Sequence, residues 1–127
     1  MFAVRIETVE RTAVCRVHGE VDAASAAELR EALVALAAYR RVVLDFSGVP
    51  FIDSAGLGCL IAGARRIHAA EGDIVLCSAR RAVDRLLHTV GMDGVLPIVD
   101  SVAEAFEVLR EAEEERRSSL VRDLSTT

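Results

Sequence analysis

The alternation of apolar and polar residues predicts strands and helices in the order β-β-α-β-α-β-α-β-α. Phe2, Val4, Ile6 and Thr8 alternate with Arg5 and Glu7, the period-two pattern of a half-buried strand. A tight turn near Glu10 and Arg11 leads to a second strand, Thr12 to His18. Two strands so close should pair antiparallel at one side of a sheet. Ala26, Leu29, Leu33 and Leu36 then recur at helical spacing; Ser25 and Glu28 have capping-box spacing, with Asp22 as a rival cap. Arg41 to Phe46 reads as a buried strand that runs into a second helix, ending near Ala70. Its stripe is Leu57, Leu60, Ile61, Ala64, Ile67 and His68, the i, i+3, i+4, i+7 spacing of one face. Ile74 to Cys77 is a short strand, Arg80 to Val90 a helix through Val83, Leu86, Leu87 and Val90, and Gly91 its stop. Val95 to Val99 is the last strand, placed at an edge by Pro97. Ser101 and Glu104 box the start of a final helix with Val102, Ala105, Phe106 and Leu109 inward.

Strands alternating with helices imply an α/β fold with a mixed, mainly parallel sheet and about four helices. In such sheets function gathers where loops leave the carboxyl ends of strands. Gly19–Asp22 and Asp53–Gly58 are loops of that kind. Beyond Ala112 the periodicity is lost in Glu-Glu-Glu-Arg-Arg-Ser-Ser, so residues 1–112 are expected to form the domain and 113–127 a charged tail, without fixed structure from Ser118 onward.

Composition narrows the function. The chain has 127 residues, 52% hydrophobic and 28% charged, enough for one domain with a core. A formal net charge of −5 lacks the basic footprint of a nucleic-acid binder, so no direct nucleic-acid partner is expected. The Arg40-Arg41, Arg65-Arg66 and Arg80-Arg81 pairs read as solvated helix ends and faces. No stretch suits a membrane span or a signal peptide, and Cys15, Cys59 and Cys77 lack C-x-x-C spacing, which fits buried thiols in a reducing cytoplasm. His18, His68 and His88 share no ligand spacing with them, so no metal is expected.

Ser54 is the candidate chemical group. It falls at or beside the N-cap of the second helix, where backbone N–H groups lack partners and the helix dipole favours negative charge. Asp53 beside it either caps the helix or meets a partner; Glu20 and Asp22 carry the same ambiguity. Gly56-Leu-Gly58 is not a dinucleotide fingerprint, because Ile61 stands at the third glycine position, and no phosphate loop is present. Ile-Asp-Ser-Ala-Gly lacks the first glycine of a nucleophile elbow, and no histidine is placed as a base, which argues against a hydrolase. No catalytic residue and no cofactor site is assigned.

The run Leu44-Asp-Phe-Ser-Gly-Val-Pro-Phe-Ile-Asp-Ser-Ala-Gly-Leu-Gly58 resembles the core signature of STAS domains, specifically the stand-alone bacterial anti-sigma-factor antagonists. Gly19-Glu-Val-Asp22 resembles their second-strand loop, and Leu76 to Met92 their later strand, helix and glycine turn. The resemblance spans residues 4 to 110 and implies partner switching. The dephosphorylated antagonist binds an anti-sigma factor that is also a serine kinase of the histidine-kinase-like ATPase type. That kinase phosphorylates the signature serine, here Ser54, and a PP2C-type phosphatase reverses it. Carried over residue by residue, the partner surface is Glu20, Asp22, Asp53, Ser54, Ala55, Gly56 and Leu57. Many members have Ser or Thr where this chain has Ala55, so Ser54 is the only hydroxyl in the motif. The competing readings are a non-switching STAS scaffold and, third, a small nucleotide-binding protein. Oligomeric state is open.

Overall fold

The strands lie side by side in chain order, β1 (Ala3–Val9), β2 (Thr12–His18), β3 (Arg41–Gly48), β4 (Asp73–Cys77) and β5 (Ile98–Val99). The structure, a computed structural model, describes residues 1–125. β1 pairs antiparallel with β2 and every later neighbour pairs parallel. The β1–β2 turn is tight because Glu10 and Arg11 both adopt positive φ, 49° and 69°, which matches the twist of the flanking strands. The helices are α1 (Ala26–Leu36), α2 (Ser54–Ala69), α3 (Arg81–Thr89) and α4 (Val102–Ser125), with a 3-10 turn at Met92–Gly94.

Alternation along the strands sorts side chains onto two faces. Ala13, Cys15, Val17, Val42, Leu44, Phe46, Ile74 and Leu76 meet the inward faces of α1, α2 and α3 in the main core. Val14, Val43, Val75 and Cys77 point the other way and are covered by Ala105 and Leu109 of α4. One helix cannot cover five strands. The second face is therefore open and polar over β1 and β2, where Arg16 pairs with Glu7 and lies 3.5 Å from the buried Asp45.

The expected α/β order is present, with local differences. His68 does not continue the buried stripe of α2 but is exposed, as is Val90 at the end of α3. The last strand shortens to Ile98–Val99, because Gly91 at φ 78° turns the chain into the Met92–Gly94 helix first. The largest difference lies beyond Ala112, where α4 continues as helix to Ser125; Thr126 and Thr127 fall outside the described residues. Periodicity is lost there because residues 113–125 are all exposed, not because the helix ends. Arg110 bonds Glu107 and Glu114 at i−3 and i+4, both at 2.8 Å, while Arg41–Glu113 and Arg116–Asp73 ion pairs, both 2.9 Å, tie the helix to the strand starts. Each of these exposed pairs adds little by itself, on a segment rich in the favourable helix formers Glu, Arg and Leu.

Candidate functional site

Three loops leave the carboxyl end of the parallel strands: Gly19–Ser25 after β2, Val49–Asp53 after β3 and Ser78–Arg80 after β4. The first two are joined by backbone hydrogen bonds. Val21 N–H donates to Phe51 O at 2.9 Å and Asp53 N–H donates to Val21 O at 3.0 Å, a short parallel bridge between Val21 and Ile52. Gly19 N–H donates to Gly48 O at 3.0 Å. This ladder extends the β2–β3 pairing past the strand ends, so Asp22 and Asp53 each follow a bridged residue and are held side by side. The third loop is anchored by Arg80, whose Nε donates to Ser47 O at 3.0 Å.

Two glycines bear on this close approach. A Cβ on Gly56 would stand 2.5 Å from Val21 Cγ1 and 2.7 Å from Val21 O, so the helix start can sit on the bridge only without one. A Cβ on Gly58 would meet nothing within 4 Å, so packing does not require that glycine. Close packing of the helix start thus depends on Gly56 and not on Gly58.

Asp53 is the N-cap of α2. Its extended backbone turns the carboxylate over the helix end, where Oδ1 accepts from Ala55 N–H at 2.9 Å and Gly56 N–H at 3.1 Å. Ser54 is therefore the first helical residue and not the cap. It is exposed, and its hydroxyl has no hydrogen-bond partner among the described residues. At the preceding loop the capping box expected between Ser25 and Glu28 does not form. Asp22 Oδ1 instead accepts from Ala24 N–H at 3.0 Å and Ser25 N–H at 3.1 Å. The Ser25 hydroxyl turns back, donating to Glu20 O at 2.7 Å and accepting from Asp22 N–H at 3.0 Å.

The assigned residues thus occupy one end of the molecule at different depths. Glu20 and Ser54 are exposed, Asp22, Asp53, Ala55 and Leu57 are half-buried, and Gly56 is buried beneath them. Ser54 lines a groove between α1 and α2 with Ala55, Gly58, Arg30 and Arg66. Glu20 and Asp22 line a separate groove with Glu28 and Pro50. The serine accordingly stands with carboxylates on its loop side and arginines along its helix side. Sequence reasoning missed Arg30, Arg66 and Phe51. Phe51 is 49% exposed in the loop just before Asp53. Its signal is a Pro-Phe-Ile run in a strand-to-helix loop, which does not say which of the two apolar residues turns inward; Ile52 does.

His68 is exposed on α2 and His88 faces Asp84 and Asp93 at 3.4 and 3.8 Å; neither lines the groove that holds Ser54. Among the described residues, no group of three or more His, Cys, Asp or Glu side chains is placed to hold a metal ion. The three cysteines are buried free thiols, and burial pushes Cys15 up to about 12 and Cys77 up to about 11, so neither ionises near neutral pH. No helix among the described residues is long and apolar enough to cross a membrane.

Known proteins share this fold. The anti-sigma F factor antagonist of Paenibacillus polymyxa is 31% identical over 68 residues, 54% of this chain and 58% of that protein. The crystal structure of an anti-sigma factor antagonist from Mycobacterium paratuberculosis superposes with a TM-score of 0.79 at 27% identity, covering 87% of this chain and 95% of that one. The Bacillus cell fate determinant SpoIIAA in its phosphorylated form shares the fold, with a TM-score of 0.65 at 23% identity over 83% of this chain and 97% of that one. The family model described as the STAS domain matches residues 3–105, and with its mainly parallel sheet and bridged loop end the chain belongs to the STAS domain family.

Proposed function

We propose that this chain is an anti-sigma-factor antagonist whose docking is switched by phosphorylation of Ser54. The observation that carries the reading is the Ser54 hydroxyl itself, exposed and unpartnered among the described residues, on a helix start that Asp53 and the Val21–Ile52 bridge hold rigid. The names of the relatives supply the class of partner, an anti-sigma factor. The partner is further proposed to be a serine kinase of the histidine-kinase-like ATPase type, and a PP2C-type phosphatase to remove the phosphate. The contact surface is Glu20, Asp22, Asp53, Ser54, Ala55 and Leu57, with Gly56 beneath it as a spacer.

The switch rests on charge and space. Phosphorylation adds about −1.5 to −2 charges at neutral pH. The Ala55 and Gly56 N–H groups, which would otherwise receive that anion, already donate to Asp53. The new charge therefore stands beside an existing carboxylate and projects to solvent, where it leaves the fold undisturbed. In a closed interface the same group is desolvated and uncompensated, at a cost of several kcal/mol. The chain acts by binding, and the chemistry belongs to its partners.

The test uses the Ser54→Ala chain as bait in a bacterial lysate, because it cannot be released by phosphorylation. The expected capture is a protein with an ATPase-kinase domain. Incubating that protein and ATP with the wild-type chain should place one phosphate on Ser54 by mass spectrometry. Phosphate on another residue, or none, would reject the switch and leave the non-switching scaffold.

A further inference from the structure

The two edges of the sheet are built differently. β5 is blunted: it has two residues and follows Pro97. β1 is a seven-residue edge strand with no proline, and it pairs with β2 in unbroken register from Ala3↔His18 to Val9↔Thr12. Proteins normally protect such an edge by shortening, proline, a bulge, charged side chains or a covering element, and of these β1 carries only the charges of Arg5 and Glu7. Ile6 and Val9 on this strand are 38% and 41% exposed.

Its charges are unbalanced within one chain. Arg5 lies directly across from Arg16 in the ladder, a like-charge pair, and Glu7 is taken by Arg16. Arg5 makes no ion pair with any carboxylate among the described residues. Directly opposed like charges destabilise a strand pair.

We infer that β1 is a homodimer interface: it pairs antiparallel with β1 of a second copy, centred on Ile6, to form one continuous sheet of two subunits. That register sets Arg5 opposite the second copy's Glu7, and Glu7 opposite its Arg5. It also sets Ile6 against Ile6 and Val4 against Thr8. The charged row across the open face then alternates in sign from Asp45 through Arg16 and Glu7 to the second Arg5. No other occupant is needed to explain the sequence of the edge, because the strand is complementary to itself about its own midpoint. An isologous contact of this kind closes as a twofold dimer and does not propagate. The pairing points the two Ser54 ends in opposite directions, so both stay accessible.

The experiment is sedimentation of the full chain from about 1 µM to about 1 mM, the span over which a modest interface is read. It is repeated for Arg5→Glu, the double variant Arg5→Glu/Glu7→Arg, and Leu120→Glu on the exposed part of α4. The wild-type chain should dimerise with increasing concentration. Arg5→Glu removes the clash with Arg16, so it folds, yet it opposes Glu7 of the second copy and should weaken dimerisation about tenfold or more. The double variant should restore it. Amide exchange should show protection, in the dimer alone, of the β1 N–H groups that point away from β2. A wild-type chain that stays monomeric throughout overturns the inference. So does a dimer indifferent to Arg5→Glu, a dimer without protected β1 amides, or one abolished by Leu120→Glu.

Discussion

Two Asp–Ser pairs sit side by side at the carboxyl end of the sheet, and their serines have opposite fates. Asp22 and Asp53 do the same work: each accepts from the N–H groups two and three residues on. Ser25 is buried, and its hydroxyl is committed to Glu20 O and Asp22 N–H, which fixes the loop that carries the acidic residues. Ser54 is exposed and holds nothing in place. A hydroxyl already engaged in structure is not available for modification without loss of fold. One that is structurally idle, on a support made rigid by its neighbours, can gain an anion while its host stays folded.

That contrast can be strained at five positions. Gly56→Ala should be the most damaging to stability. It gains about 1 kcal/mol of helix propensity but drives a Cβ into Val21, for a net loss of about 2 kcal/mol in urea titrations. Ser25→Ala should cost about 1.5 kcal/mol, because the part-buried Asp22 N–H and Glu20 carbonyl lose their partner. Asp53→Ala should cost about 1 kcal/mol as a lost cap, with the start of α2 exchanging its amides faster. Gly58→Ala, two residues on from Gly56, should stabilise the chain by up to about 1 kcal/mol, since its side chain enters open space. Ser54→Ala should change stability by less than about 0.5 kcal/mol, as for surface sites away from structural features. A Ser54→Ala loss as large as that of Ser25→Ala would erase the distinction between the two serines.

Much of the frame is legible in the sequence because burial imposes periodicity. Ala26, Leu29, Leu33 and Leu36 are all buried as their spacing requires, and the edge placement of β5 agrees with Pro97. Legibility fails where local and tertiary signals compete. Ser25-x-x-Glu28 has the letters of a capping box, yet Ser25 stands at the N-cap without capping, because its hydroxyl is drawn back onto Glu20 O while Asp22 holds the loop before the helix. At Ser54, spacing places the residue within one position of the cap, but only backbone geometry shows that Asp53 caps and leaves the hydroxyl idle. Residues 113–125 carry no periodicity and read as a tail, while helix propensity and ion pairs to Asp73 and Arg41 continue α4. The coupling of the two acidic loops through Val21 and Ile52 has no local signature, since the hydrogen bonds that make it join residues far apart in the chain.

The central claim is that an added anion at Ser54 abolishes docking without disturbing the fold. The direct measurement is the dissociation constant for the captured anti-sigma factor of the chain with phosphoserine at position 54, against that of the unmodified chain. The account predicts binding weaker by about a thousandfold, equivalent to about 4 kcal/mol. Equal affinities for the two forms would contradict it.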